Sequence, residues 1–265
     1  VRGLLLSTAV AFSLLTAVFW PLERMWSARP GQAWVRAAYF TDVLFFLGQY
    51  LLWGACALFV LEHVHPWCLE LTPGWLQERF GALPFWAQAL AVVALGDVSV
   101  YWFHRASHAW PLLWRFHAVH HTSQTLDWVA AHREHPVDGL LTQLAINLPA
   151  MLLGFPLAGI AWFIALRGMW AIFIHSNVRL PLGPLRKLLG APELHHWHHL
   201  KSVEAHNFAN LAPWTDLLFG TYFCPEGPED WPLGVVGPAP TGYLALLVWP
   251  FLPQRVEEPQ KRSTS

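Results

Sequence analysis

The feature that most restricts how this chain can fold is the spacing of its histidines between residues 104 and 199. His104 and His108 are four apart, His117, His120 and His121 are three and four apart, and His195, His198 and His199 repeat that pattern. Residues three or four apart share a helix face, so each set requires a local helix that presents its imidazoles together. Of the 15 histidines, seven lie between His104 and His135 and five between His195 and His206. A lone histidine on an apolar face is most often a core residue. Three clusters at helical spacing call for a shared purpose, and imidazole is the commonest metal-binding side chain.

The second restriction is apolar length. The chain is 55% hydrophobic and 12% charged, with 17 tryptophans, against about 25% charged in an ordinary soluble domain. Leu4–Trp20 has no charge and is read as a first membrane span rather than a signal peptide, because no small-residue cleavage site follows. Ala38–Leu61 supplies the roughly 20 residues that a bilayer core demands. Glu62 through Trp67 is expected to close that span, with His63 and His65 in an interfacial loop running to residue 84. Phe85–Phe103 is a weaker span that contains Asp97. Leu140–His175 is divided by Pro149, Gly154 and Pro156 into a hairpin, whose Arg167 needs a partner inside the protein. Thr241–Leu252 is about half a span, read as interfacial or re-entrant, and the end from Glu257 to Ser265 is expected to be disordered.

These segments predict an all-α integral membrane helical bundle. It has about four transmembrane helices and a histidine-rich helical cap. Residues 1–84 hold N-terminal spans and a loop, 85–225 the catalytic part, and 226–265 an interfacial segment and tail, within one domain. Basic residues decide orientation. Arg24, Arg29, Arg36, Arg105, Arg115, Arg133, Arg179, Arg186, Lys187 and Lys201 fall on the side of the clusters, and Arg2 and Arg79 on the other. The clusters are therefore expected on the cytoplasmic face of a multi-pass protein. With a net charge of −1 and no basic stripe, nucleic acid is not an expected partner. Cys56, Cys68 and Cys224 show neither disulfide nor zinc-knuckle spacing.

Ten histidines are candidate metal ligands: His104, His108, His117, His120, His121, His195, His198 and His199 from the helical spacing, and His135 and His175 from their settings in Arg133-Glu134-His135-Pro136 and Ile174-His175-Ser176-Asn177. That is about five for each of two metals, which leaves open positions for O₂. His132, His196 and His206 fall off the pattern and stand as supporting, surface or substitute positions. Asp97, Asp127, Asn177 and Asp216 are candidates to bond the free imidazole nitrogens. Glu-x-x-His pairs, His-Glu-x-x-His, a serine nucleophile elbow and a glycine-rich dinucleotide loop are all missing. A metal transporter would place its ligands at mid-membrane on broken helices. A zinc-dependent membrane hydrolase stays open as an alternative.

These motifs resemble the fatty acid hydroxylase superfamily, also called the sterol desaturase family. The similarity covers roughly residues 90–225. It extends through Asp97 to Arg105, Pro111 to His117, Arg133-x-His135-Pro136, His175-Ser176-Asn177 and Trp214-x-Asp216-Leu-Leu-Phe219-Gly220-Thr221. The family often has arginine after its equivalent of His195; here His196 stands there, a further potential ligand. The resemblance implies a non-haem di-iron oxidoreductase in which histidines hold two iron ions, with zinc a substitute in purified protein. It implies O₂ as co-substrate and hydroxylation or desaturation of a C–H bond in a fatty acyl, sterol or related isoprenoid lipid. Oxidative cleavage of an ether lipid is the alternative outcome. No flavin, haem or ferredoxin motif is present, so electrons are expected from a separate cytochrome b5-like or ferredoxin-like protein. Trp102, Trp128, Phe163, Trp170 and Phe173 are candidates to line an apolar slot open to the bilayer.

Overall fold

The structure, a computed structural model, describes residues 2–155 and 157–253, with backbone alone for 157–164. It is helical: among the described residues the only strand-like pairs are the isolated bridges Ser27–Val178 and Leu200–Leu233. The helices are α1 (Arg2–Met25), α2 (Tyr39–Gly48), α3 (Gly54–Leu71), α4 (Gly74–Gly81), α5 (Phe85–Ala109), α6 (Pro111–His121), α7 (Pro136–Leu152), α8 (Leu157–His175), α9 (Pro192–His198), α10 (Trp214–Phe219) and α11 (Tyr243–Val248).

Among the described residues, three helical stretches are long and apolar enough to cross a membrane: Arg2–Met25, Tyr39–Leu71 and Phe85–Ala109. Together with α7 and α8 they form a membrane helical bundle, in which α5 lies against both. The boundaries differ from the sequence expectation in an instructive way. α1 continues through Pro21, and α3 runs through Pro66 to Leu71 where a loop was expected. Each proline removes one main-chain bond, which packing of a long apolar helix can absorb. The Thr72 hydroxyl then ends α3 by donating to Cys68 O and Leu152 O, at 2.7 and 2.9 Å. The second span changes gauge at Gln49–Trp53, a π-helical turn. This bulge carries Gln49 to His132, whose Nδ1 lies 2.7 Å from Gln49 Oε1.

α5 outlasts its expected end at Phe103 and stops at Ala109. Trp110 turns extended (φ −102°, ψ 119°), and Pro111 opens α6, because a residue before proline avoids the helical region. This junction places the last two turns of a membrane helix beside a short second helix. After α7 the chain turns at Gly154 (φ +78°), where a Cβ would meet Gln77 at 2.7 Å. Arg167 of α8 finds its partner inside the protein in the Gly96 carbonyl of α5, at 3.3 Å; a Cβ on Gly96 would collide with the guanidinium.

One buried ionic network joins α2 and the segment before it to the loop after α6. Asp42 accepts from Arg36 Nη2 (2.6 Å) and Arg133 Nε (2.5 Å), and Asp127 accepts from Arg36 at 2.7 and 2.8 Å. All four side chains are nearly inaccessible. Arg36 and Arg133, counted above as membrane-face charges, are thus internal. Trp128 packs beside this network against Phe12, Phe19 and Phe46. The C-terminal segment is short, as expected: α11 packs Leu246 against Phe45 and Val119. The expectation for residues 257–265 lies outside the described residues.

Removing the shared carboxylate should expose how much this network holds. Asp42→Asn leaves the buried Arg133 guanidinium without its carboxylate and Arg36 with Asp127 alone. It should cost about 3–5 kcal/mol, measured by denaturant unfolding in detergent micelles; an unchanged midpoint would mean that Arg36 and Arg133 are solvated there.

Candidate metal centre

Four chain segments bring nine imidazoles into two groups. His104 and His108 come from the end of α5, and His117, His120 and His121 from α6. His175 is the last residue of α8, and His195, His198 and His199 come from α9 and its C-cap. His104, His108, His117, His121 and His198 form one group; His120, His175, His195 and His199 form the other. Within each group the facing nitrogens all lie within 4.8 Å of one another.

Helix geometry explains the division. At 3.6 residues per turn, positions four apart differ by about 40° and adjacent positions by about 100°. His117 and His121 therefore serve one group while His120 turns to the other. α9 does the converse: His195 and His199 share one group and His198 crosses to the first. The seam between the groups is the stacked pair His121 and His199, with ring centroids 4.4 Å apart.

The nitrogen separations fit a shared cation better than hydrogen bonds. In the first group, Nε2 of His198 lies 3.2 Å from Nε2 of His108 and 3.1 Å from that of His121, which is 3.2 Å from that of His117. In the second, the separations are 2.9 Å for His120–His175, 2.9 Å for His175–His195 and 3.1 Å for His195–His199. Two nitrogens bound at right angles about 2.1 Å from one metal stand about 3 Å apart.

The other ring nitrogens settle the tautomer. Nδ1 of His104 donates to Phe208 O at 2.9 Å, and that of His120 to Arg133 O at 3.0 Å. Nδ1 of His175 donates to Ala171 O at 2.6 Å, and that of His198 to His206 O at 2.7 Å. A carbonyl can only accept, so Nδ1 carries the hydrogen and Nε2 of the neutral ring offers a lone pair. His120 and His175 thus point two acceptors at each other. His117 Nδ1 donates to Asp138 at 2.9 Å. Nε2 of His104 is buried without a partner among the described residues. Burial, reinforced by neighbouring imidazoles, holds His120, His121, His195, His198 and His199 well below the ordinary value of 6.5. They stay neutral, as metal ligands must be.

The tenth expected ligand, His135, stands in neither group. Its Nδ1 accepts from Val137 N at the start of α7 and its Nε2 donates to Leu247 O, so both nitrogens are spent on joining α7 to the segment after α6 and to α11. His196 is likewise committed, to Glu229 at 2.5 Å and Ser176 O at 3.1 Å. His132 faces Gln49, and His206 stacks on Phe223 while its carbonyl orients His198.

The four polar residues expected to bond imidazoles do something else. Asp97 accepts from Leu211 N and Trp214 Nε1, and Asp127 holds Arg36. Asn177 Oδ1 accepts from Arg29 N. Asp216 accepts from Phe208 N at 2.8 Å and Ala209 N at 3.0 Å, fixing the strand of backbone whose carbonyl orients His104. The carboxylate that does bond an imidazole of the two groups is Asp138. Its signal was an acid in the first turn of the helix after His135-Pro136. Of the residues expected to line an apolar slot, Trp170 packs on Phe173, which lies against the buried cluster of Trp128, whereas Trp102 packs apart from them on Phe219. The side chain of Phe163 lies outside the described residues.

The fold and site define a membrane helical bundle with two adjoining groups of histidines, each arranged so that it could hold a metal ion. The family described as fatty acid hydroxylase matches residues 89–221, half of the chain, and the chain belongs to that family. It is 35% identical over 172 residues to an ornithine lipid hydroxylase of Rhizobium tropici, covering 63% of this chain and 52% of that protein. It is 30% identical over 192 residues to an alkylglycerol monooxygenase of Danio rerio, covering 69% and 42%. To methylsterol monooxygenase 1 of Rattus norvegicus it is 27% identical over 146 residues, covering 52% and 49%. The chain thus spans about half the length of these relatives. No solved structure matches.

Asp138→Ala should lower metal affinity of the five-histidine group about 10–100-fold in a competition titration, with Asp138→Asn intermediate; equal affinity in all three would remove Asp138 from the site. A second expectation concerns the metal-free protein. Its depressed imidazoles take up protons only below 6.5, where the unfolded chain has already bound them, so acid favours unfolding. Stability after chelation should be full above about pH 6.5 and fall as the pH drops below it. Urea midpoints between pH 8 and 5 test this, and a flat profile would contradict the burial of neutral rings.

Proposed function

We propose that the chain is an O₂-dependent lipid hydroxylase with a di-iron centre on the cytoplasmic face of a multi-pass membrane protein. The observation that carries this reading is the pairing of nine buried or half-buried imidazoles into adjoining sets of five and four, five of them with a hydrogen-bonded Nδ1 behind and a lone pair in front. His104, His108, His117, His121 and His198 would hold one ion, and His120, His175, His195 and His199 the other. When bound, the iron pair supplies reductive O₂ activation and removal of hydrogen from an unactivated C–H bond. The overall balance is R–H + O₂ + 2 e⁻ + 2 H⁺ giving R–OH + H₂O.

This chain's own contribution is placement. Phe208 O, Arg133 O, Ala171 O, His206 O and Asp138 hold the rings in one tautomer and one orientation. The set of His120, His175, His195 and His199 has one donor fewer than the other, so an ion held there would keep more room for O₂. The neutral ligand set leaves the ions' charge uncompensated by carboxylate, unlike the carboxylate-rich soluble di-iron bundles. Lipids are the named substrates of the ornithine lipid and alkylglycerol relatives, which favours a lipid here. Electrons would come from a separate cytochrome b5-like or ferredoxin-like donor.

Reconstituted with iron, a reductase system and ¹⁸O₂, the protein should add one labelled oxygen to a lipid, identified by comparing lipid extracts of cells with and without the gene. His120→Ala and His198→Ala should each reduce turnover to background and lower metal content from about two per chain. Turnover without O₂ would instead support a hydrolase.

A further inference from the structure

We infer that a second pocket, apart from the histidine groups, receives the ammonium-bearing headgroup of the lipid; calling that lipid the substrate rests on the function proposed above. The pocket has a volume of about 180 Å³ and lies where the end of α1 and the segment after it meet residues 127 and 177. That is room for several water-sized groups. Trp20, Glu23, Gln32, Trp34, Asp127 and Asn177 are in its wall.

The wall is short of hydrogen-bond donors. Glu23 Oε1 accepts from Trp128 N at 2.8 Å and Asn177 N at 3.1 Å. Its Oε2 takes no hydrogen bond, and the carboxylate makes no salt bridge, among the described residues. Gln32 Nε2 donates to Leu126 O at 2.8 Å, which fixes its amide orientation, and its buried Oε1 is left without a partner. Asp127 adds no free charge, since Arg36 binds both its oxygens. A buried acceptor without a donor is costly. The pocket therefore presents to its occupant one carboxylate oxygen, Glu23 Oε2, and one amide oxygen, Gln32 Oε1, that take no hydrogen bond among the described residues.

An ammonium group matches this on both counts, with three donors and a positive charge. The remaining walls suit it too. The indoles of Trp20 and Trp34 stand 6.0 Å apart at 56°, half exposed at the rim, and an indole face attracts a cation. The only cationic side chain in the lining, Arg24, is exposed, where it can meet the phosphate or carboxylate of a zwitterionic headgroup. The occupant is a lipid rather than a free amine because the pocket opens at the end of a membrane-length apolar helix. There Trp20 and Trp26 are exposed, as interfacial tryptophans are. Glu23 also holds the backbone of Asn177, two residues beyond His175. A headgroup seated here would be tied to the same short stretch of chain as the second histidine group.

The test uses the full metal-loaded chain in phosphatidylglycerol nanodiscs, doped with phosphatidylethanolamine or its N-acetylated form, with retained lipid read by native mass spectrometry. Phosphatidylethanolamine should be retained about tenfold over phosphatidylglycerol, and the N-acetylated lipid should show no preference. Glu23→Gln, which keeps an acceptor for the two backbone N–H groups, should abolish the preference; the exposed Trp34→Ala should weaken it several-fold. Equal retention of the amine lipid and phosphatidylglycerol, or a preference unchanged in both variants, overturns the inference. Displacement by free ethanolamine at the same concentration as the lipid overturns its assignment to a headgroup. Retention needs neither O₂ nor reductant. Amine preference in a protein that oxidises no lipid would thus sink the oxygenase reading alone, and lipid oxidation without that preference would sink the pocket alone.

Discussion

The constraint on which the rest depends is the repulsion between lone pairs that the fold forces together. Backbone carbonyls claim the Nδ1 hydrogens of His104, His120, His175 and His198, so their Nε2 atoms face inward as acceptors. Acceptors at about 3 Å repel unless a cation sits between them, and the low dielectric of a buried site raises that cost. Protonation would be the cheap relief, but burial opposes it at His120 and His199. The two groups are therefore a preorganised demand for positive charge, held by packing elsewhere.

That packing has identifiable sources. The Trp110-Pro111 break sets the membrane helix carrying His104 against the short helix carrying His117 to His121. The salt-bridge network of Asp42, Arg36, Asp127 and Arg133 ties α2 and the segment before it to the loop following α6. Arg133 belongs to both layers: its side chain is in the network and its carbonyl orients His120. His135 likewise gives its nitrogens to α7 and α11 and none to a metal. A buried ionic network is weak evidence for net stability, yet removing one member is severe. Here its geometric role is to fix one ligand's backbone.

The ligand helices were legible in the sequence because side-chain periodicity is a local property. Nine of the ten histidines singled out by spacing or setting come together in the structure. Their division between two groups follows from 100° per residue, but the choice of partner set needs the relative placement of α6, α8 and α9. His135 misled because His-Pro before a helix signals an N-cap as readily as a ligand. The partners of the imidazoles were harder still. Four of the five are main-chain carbonyls, which every residue carries and no sequence pattern marks. The polar side chains that looked suited to the task, Asp97 and Asp216, hold backbone instead. The helix ends were misplaced at Pro21 and Pro66 because local propensity stops a helix that the surrounding bundle continues.

The same logic of unmet acceptors separates the two polar sites of this protein. Around the histidines, the facing ring nitrogens converge at about the spacing of donors on one ion, which suits a compact metal cation. In the pocket beside α1, the open acceptors are a carboxylate and an amide oxygen flanked by indole faces, a set too sparse to enclose a metal ion and better matched by an organic cation that also packs against aromatic surface. Both sites abut the segment from His175 to Asn177, one through the imidazole of His175 and the other through the backbone N–H of Asn177. A charge arriving at either site is thus felt by the same few residues at the end of α8. Spacing along a bound lipid, from its headgroup to the carbon that is oxidised, would be set by how rigidly those residues hold the two sites together.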